Sequence, residues 1–275
     1  MKILRSRRGT LLAAVTALAV GVALATPIAA SAAPQPTIVV PAAVGDAGWL
    51  RLGHFSPDTK EVDVRVAALR GGAIVFELSE VGYGDISPYQ ALPSGTYTVS
   101  MIPAGTKDWS KLALSATVTV APDTAATAAA YGPSKALKVR LFQDDLAAPA
   151  AGNARIRVIQ ASTITPTVDV QTSTGVPIAS KARAGTATKY AEVPAGTWTL
   201  ELTGRGVSDS VDVAVAAGSV SSLFILDTAD GGLTILPILD SATAAVAPIG
   251  GVQTGGGYLA GTSAAPNAPT ARAFR

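Results

Sequence analysis

Between residues 48 and 240, apolar and polar side chains alternate with a period of two and not with the 3.6 of a helix. The clearest segments are Val62–Val66, Tyr97–Met101, Trp198–Leu202 and Val211–Val215. Such alternation is typical of strands that bury one face of a sheet and expose the other. We therefore predict an all-β protein, and we expect the strand that holds Pro237 to lie at a sheet edge, where a missing N–H is tolerated.

Three blocks of the chain occur twice in the same order. The matched pairs are Leu50–Ser56 with Ile156–Ser162, Val62–Val64 with Val168–Val170, and Tyr89–Val99 with Tyr190–Leu200. The closing strands also correspond, with Asp144 opposite Asp240. Ordered self-similarity of this kind predicts a duplicated domain. Each copy is long enough for its own core and for about seven short strands.

The pattern predicts two tandem immunoglobulin-like antiparallel β-sandwich domains, followed by a disordered C-terminal tail. We place the first copy at residues 48–146, the second at 154–240 and a joint at 147–153, which is short enough to limit relative motion. Residues 33–47 are read as an N-terminal linker. The Gly/Ala-rich residues 241–275 are read as a flexible tail.

The N-terminus has the three regions of a secretory signal peptide. An uncharged apolar stretch at residues 11–25 follows four basic residues, and Ala30–Ala32 supplies the small residues of a cleavage site, so we predict cleavage after Ala32. Because the apolar stretch is shorter than the about 20 residues of a membrane span, we expect no stable span after cleavage. The general secretory and twin-arginine routes both stay open.

Export changes the charge balance of the protein. The chain has 21 Lys and Arg against 19 Asp and Glu, but four of the basic residues and none of the acidic ones lie in the signal. The mature chain is therefore slightly acidic, which argues against a nucleic-acid partner. With no Cys and one His, we predict no metal site, no cofactor and no thiol chemistry.

No set of residues predicts an active site. His54, Ser56 and Asp58 alternate along one extended segment, so their side chains lie side by side and do not converge as a triad must. We interpret His54 as a structural residue bonded to turn backbone, since the second copy has Gln160 at this position. The acid pair Asp144-Asp145 lacks the surrounding ligands of a calcium loop.

Arg51 and Asp63 recur in the second copy as Arg157 and Asp169. Each Asp lies between two valines and so points away from the core. The acids are either metal ligands or members of a cross-strand Arg–Asp pair within each copy. We favour the pair, because it explains why both residues recur together.

Aromatic residues supply the candidate binding site. Trp109 lies among charged residues in a loop that is longer in the first copy, and is either a lid on the core or an exposed contact residue. Together with Tyr83 it is our candidate for ligand binding. The matched aromatic pairs are read as structural, and they are Tyr97 with Trp198 and Tyr89 with Tyr190.

The repeated pattern resembles the family called domain of unknown function 4397. The residues that carry this resemblance are Arg51, His54, Ser56, Pro57, Asp58, Val62–Val64, Tyr89 and Leu92–Val99. The second copy departs from the pattern at Gln160 and at Thr163-Ile164, and the Gly-rich tail at 250–257 resembles that of actinobacterial members. The resemblance implies a secreted or cell-surface protein and implies no established activity.

From these observations we expect a secreted, non-catalytic structural or adhesive module, free or loosely associated with the cell wall. The alternative is an extracellular carbohydrate-binding module that uses loop aromatics of the first copy. The partner is unknown, with a cell-wall glycan and a surface protein as the two candidates.

Overall fold

The computed structural model describes residues 46–241, and their regular structure is almost entirely strand. The signal peptide with its cleavage after Ala32, most of the linker at 33–47 and nearly all of the tail at 241–275 lie outside the described residues. Within residues 46–241 there is no helix long and apolar enough to cross a membrane. The prediction of an all-β protein is confirmed.

Residues 47–144 form a first sandwich of eight strands. They are β1 (Ala47–Phe55), β2 (Val62–Ala68), β3 (Ile74–Val81), β4 (Gln90–Pro93), β5 (Gly95–Pro103), β6 (Leu114–Val120), β7 (Ala125–Tyr131) and β8 (Lys138–Asp144). Strand β1 thus begins one residue inside the predicted linker. A short 3-10 turn at Ser134–Ala136 precedes β8.

Residues 153–241 form a second sandwich with nine strands. They are β9 (Asn153–Gln160), β10 (Thr167–Thr172), β11 (Pro177–Arg183), β12 (Thr186–Ala187), β13 (Ala191–Pro194), β14 (Gly196–Gly204), β15 (Val207–Val215), β16 (Val220–Asp227) and β17 (Leu233–Ser241). Pro237 lies in β17, which is the edge strand of its sheet, as predicted.

Each sandwich is built from an outer and an inner sheet, and the strand orders correspond. The outer sheets are β3-β2-β5-β6 and β11-β10-β14-β15, and the inner sheets are β4-β1-β7-β8 and β12-β9-β16-β17, in which β13 also pairs with β9 as β4 does with β1. Most neighbouring strands are antiparallel, but β1 pairs with β7 and β9 with β16 in parallel. The predicted immunoglobulin-like sandwiches are therefore present, with one parallel pair in each inner sheet.

Each sandwich closes over its own apolar core. Leu50 and Leu52 of β1 face the first core, together with the valines of β2 and Val99 of β5. In the second sandwich, Leu223 and Ile225 of β16 pack against strands β10 and β14. The period of two in the sequence therefore reports which face of each strand enters a core.

A third apolar cluster joins the two sandwiches. It is formed by inner-sheet residues whose side chains point away from their own core, and the rings of Phe55 and Phe224 stack at its centre with centroids 4.2 Å apart. Strand β16 is buried at every position because its two faces contact the second core and this third cluster. The sheets thus lie in four layers, in the order outer, inner, inner, outer.

Candidate functional site

Arg51 crosses from the first sandwich into the second. It alternates with Leu50 and Leu52 on β1, so it leaves the first core and points at the second inner sheet, where it is fully buried. Its Nε donates to Thr127 Oγ1 at 2.8 Å, its Nη1 donates to the carbonyl of Leu239 at 3.2 Å, and its Nη2 forms an ion pair with Asp240. The last strand of the second sandwich therefore binds the first strand of the first.

Arg157 makes the same contacts in the opposite direction. Its Nε donates to Ser222 Oγ at 2.8 Å, its Nη1 donates to the carbonyl of Gln143 at 2.7 Å, and its Nη2 forms an ion pair with Asp144. The arginine of each sandwich therefore pairs with the aspartate of the other, and a local two-fold axis relates the two pairs.

The remaining oxygens of both carboxylates accept hydroxyl hydrogen bonds. Asp144 accepts from Thr127 and from Tyr89, both at 2.6 Å, and Asp240 accepts from Ser222 and Tyr190, both at 2.7 Å. Buried charges are tolerated only when paired and hydrogen-bonded in this way. We call these eight side chains the central network: Arg51, Tyr89, Thr127, Asp144, Arg157, Tyr190, Ser222 and Asp240.

The guanidinium groups also lie over aromatic rings. Arg51 is 4.6 Å from the ring centre of Tyr89, and Arg157 is 4.7 Å from that of Tyr190. Burial raises the pKa of both tyrosines far above the ordinary value. Burial alone would lower the pKa of Arg51, but the Asp240 carboxylate and the other network oxygens raise it, so the group stays cationic.

The prediction that Arg51 pairs with Asp63, and Arg157 with Asp169, is wrong. Arg51 projects from the inner sheet towards the other sandwich, whereas Asp63 projects from the outer sheet on the far side of the core. Both residues point away from their own core, as alternation requires, but they point in opposite directions. The duplicated acids that bind the arginines are Asp144 and Asp240.

Asp63 and Asp169 instead hold an irregular backbone turn in each outer sheet. Asp63 Oδ1 accepts the N–H of Glu80 at 2.9 Å, and Asp169 Oδ1 accepts the N–H of Lys181 at 2.9 Å. Glu80 and Lys181 both have positive φ, at 56° and 49°, and the strand register shifts beside them. The recurring Asp thus bonds the backbone N–H of a left-handed residue in each copy.

We expect Asp63→Ala to lower the free energy of unfolding by about 1–2 kcal/mol, because the Glu80 N–H loses its acceptor. The exposed neighbour Glu61 provides the control, since Glu61→Ala is expected to change the free energy of unfolding by no more than about 0.5 kcal/mol. Urea unfolding of both variants measures the difference. Equal losses in the two variants would contradict the anchoring role.

His54 and Asp58 make contacts that support the local fold. His54 is 1% exposed, and its Nε2 lies 3.4 Å from the carbonyl of Thr59 in the following turn. Burial lowers its pKa, so the ring is neutral at physiological pH. Asp58 accepts the N–H and the hydroxyl of Ser134, at 2.7 and 2.8 Å, and so fastens the turn before β8.

The two candidate binding aromatics do not form a common site. The half-buried Trp109 ring stacks on Arg65, 3.9 Å from its guanidinium carbon, over the solvent face of the outer sheet. Tyr83 reaches the second sandwich, where its hydroxyl accepts the N–H of Asp227 at 2.8 Å. Sugar binding by Trp109 and Tyr83 stays a prediction, for which glycan binding by Trp109→Ala is the test.

The other matched aromatics serve the fold. Tyr97 Oη donates to the carbonyl of Pro93 at 2.5 Å, and Trp198 Nε1 donates to that of Pro194 at 3.0 Å, so each ring ties its strand to the preceding turn. Tyr97 is buried in the first core, while Trp198 packs against the second core half-buried. Among residues 46–241 there is no cluster of three or more His, Cys, Asp or Glu able to hold a metal.

Sequence reasoning missed the central network, although the sequence held two signals for it. Residues 125–131 and 220–227 are apolar or small almost without alternation, which is typical of strands covered on both faces. Arg51, Tyr89 and Asp144 each have an equivalent in the second copy. A second buried interface and three duplicated polar residues together indicate a symmetric contact.

The fold and the central network define an all-β protein of two immunoglobulin-like sandwiches joined back to back through their inner sheets. Residues 48–171 match the family model described as "Domain of unknown function (DUF4397)", so this part of the chain is a member of the family that the repeated pattern resembles. The matched range covers the first sandwich and continues through β9 into β10. No curated protein matches this chain.

Two solved structures match parts of this chain at low sequence identity. The Bacillus anthracis TIE protein is 15% identical with a TM-score of 0.22, over 66% of this chain and 34% of its own length. The tip fimbrial protein Mfa3 from Porphyromonas gingivalis, with a C-terminal truncation, is 10% identical with a TM-score of 0.22, over 70% of this chain and 99% of its own.

Proposed function

We propose that this protein is a secreted, non-catalytic structural or adhesive module of the bacterial cell envelope. One observation carries the proposal: the polar residues that recur in the two copies bind each other across the inter-sandwich interface. Arg51 with Asp240 and Arg157 with Asp144 make the two sandwiches one block. A block of this kind holds its surface loops at fixed separations, which suits a spacer or a contact module.

The same observation supports a role without catalysis. The side chains of Arg51, Asp144 and Asp240 are fully buried, and each is neutralised by a partner. The imidazole of His54, which a hydrolase would need as its base, is buried against turn backbone. The contacts of Arg51, Asp144, Asp240 and His54 thus stabilise the fold.

Fractionation of cells that express the tagged full chain tests the location. We expect the protein in the medium and the wall fraction with residues 1–32 removed, as read by mass spectrometry of its new N-terminus. A chain lacking residues 1–32 is the control and is expected to stay in the cytoplasm. Retention of the intact full chain in the cytoplasm would overturn the proposal.

Adhesion is tested with beads that carry the purified mature chain. We expect these beads to retain envelope fragments of the source cells above the level of beads that carry an unrelated β-sandwich of equal size. Absence of retention would overturn the adhesive role and leave the structural one. A substrate turnover that is lost in His54→Ala would overturn the non-catalytic assignment.

A further inference from the structure

The local two-fold axis relates two grooves at the sides of the inter-sandwich interface. One groove lies between β8 and the segment before Tyr190, and the other lies between β17 and the segment before Tyr89. The two segments have the same local structure, because Thr188 Oγ1 accepts the N–H of Val158 at 3.0 Å and Ser87 Oγ accepts that of Leu52 at 3.0 Å. Differences between the grooves therefore reflect side chains, not topology.

Apolar side chains close the groove beside β17. Ile86 and Leu236 pack against the apolar cluster of the interface. Tyr83 crosses the remaining gap, and its hydroxyl accepts the N–H of Asp227 at 2.8 Å and donates to the carbonyl of the same residue at 3.1 Å. Ile86, Leu236 and Tyr83 thus occupy the groove between β17 and the segment before Tyr89.

Polar side chains leave the groove beside β8 open. At the positions equivalent to Leu236 and Ile86 stand Arg140 and Ala187, and the apolar contact on this side comes from Tyr131, which packs against the interface cluster beside Gly185. An open groove results, lined by Arg140–Gln143, Arg157 and Gly185–Thr188. Arg157 at its floor is neutralised by Asp144, whereas the exposed Arg140 forms no ion pair among the described residues.

The rim of this open groove is strongly basic. The segments at the groove, 138–143 and 183–189, contain no Asp or Glu, and their exposed cations are Lys138, Arg140, Arg183 and Lys189. On β8, Lys138 and Arg140 alternate with core residues and so lie on the face that Phe142 turns to the second sandwich. The equivalent positions on the closed side carry no cation, and they are Thr234, Leu236, Gly82 and Pro88. One side of the interface thus attracts anions.

We propose that the open groove binds an anionic polysaccharide of the cell envelope, whose phosphate or carboxylate groups pair with Arg140 and the basic rim. Gln143 and Thr188 supply an amide and a hydroxyl for the uncharged part of such a chain. An acidic peptide added as a strand to the edge of β8 is disfavoured, since Arg157 already occupies the Gln143 carbonyl at 2.7 Å. The inference rests on the proposed function in one respect, because the cell envelope is taken from it as the source of the polysaccharide.

Binding of the mature chain to immobilised polymers tests the groove. The probes are a polyglycerol phosphate and alginate, which carry phosphate and carboxylate respectively, with neutral dextran and poly-glutamate as comparisons. The groove variant is Arg140→Gln with Lys189→Gln. The matched control is Arg70→Gln with Lys107→Gln, which removes the same charge from exposed sites of the first sandwich.

We expect the wild type to bind at least one anionic polysaccharide and not dextran, the groove variant to bind about tenfold more weakly, and the control to bind unchanged. The bound polymer identifies phosphate or carboxylate as the recognised group. Equal losses in both variants, equal binding to dextran, or stronger binding to poly-glutamate would overturn the inference. Thermal unfolding confirms that both variants are folded. The polymer assay does not depend on fractionation. A negative binding result would therefore overturn the groove inference and would not affect the proposed envelope location.

Discussion

Replacing Arg51 by Met is expected to lower the free energy of unfolding by about 3–5 kcal/mol, because Asp240 is then a buried carboxylate without its cation. Domains are typically stable by only about 5–15 kcal/mol, so this is a large share of the total. Asp144 loses a second cation 4.0 Å away. Urea unfolding, followed by tryptophan fluorescence, measures the change.

An exposed ion pair provides the control for this experiment. Arg65 pairs with Glu77 at 2.6 Å on the solvent face, with side chains 27% and 48% exposed, and Arg65→Met is expected to cost about 2 kcal/mol or less, because this pair and part of the stack with Trp109 are lost. The double variant Arg51→Met with Asp240→Asn is expected to lose less than the sum of its single variants, since it leaves no uncompensated charge. Strictly additive losses would show that the two side chains do not depend on each other.

Alkaline pH is expected to destabilise this protein steeply. Burial raises the pKa of Tyr89 and Tyr190 in the folded state, whereas in the unfolded chain tyrosine has a pKa of about 10. Below pH 10 both states keep these protons. Above it the unfolded state releases them first, so the free energy of unfolding falls by about 1.4 kcal/mol per pH unit for each tyrosine.

Urea unfolding between pH 8 and pH 11 checks this expectation, with tyrosinate absorbance as a second readout. Absorbance is expected to rise for Tyr89 and Tyr190 only as the protein unfolds. In Tyr89→Phe with Tyr190→Phe, stability at pH 8 falls because two hydroxyl donors to Asp144 and Asp240 are lost, but the decline above pH 10 becomes shallower. A decline of unchanged slope would assign the alkaline effect to other groups.

The residues of the network show where sequence reasoning succeeded and where it stopped. Alternation along β2 correctly placed Asp63 away from the core, and the same period along β1 leaves Arg51 on the face opposite Leu50 and Leu52. The pairing then failed, because a period of two separates two faces but does not say whether a face meets solvent or another sheet. For Asp63 the outer face meets solvent, and for Arg51 it meets the second sandwich.

The candidate aromatics show the same limit. The sequence placed Trp109 in an extra loop and left open whether it was a lid or a contact residue. The ring lies outside the sandwich, stacked on Arg65, which neither alternative described. Tyr83 carried no sequence signal for a role between the sandwiches, because its partner Asp227 is 144 residues away.

The sequence by itself determined the all-β class, the correspondence of the two copies and the core face of each strand, because these depend on local alternation and on matched blocks. Only the tertiary structure decided that the inner sheets join face to face, that each arginine binds the aspartate of the other sandwich, and that one of two equivalent grooves stays open. Those features depend on contacts between residues far apart in the chain. Burying a charge is unfavourable unless it has a partner, and here each partner comes from the other sandwich, which no local pattern reveals.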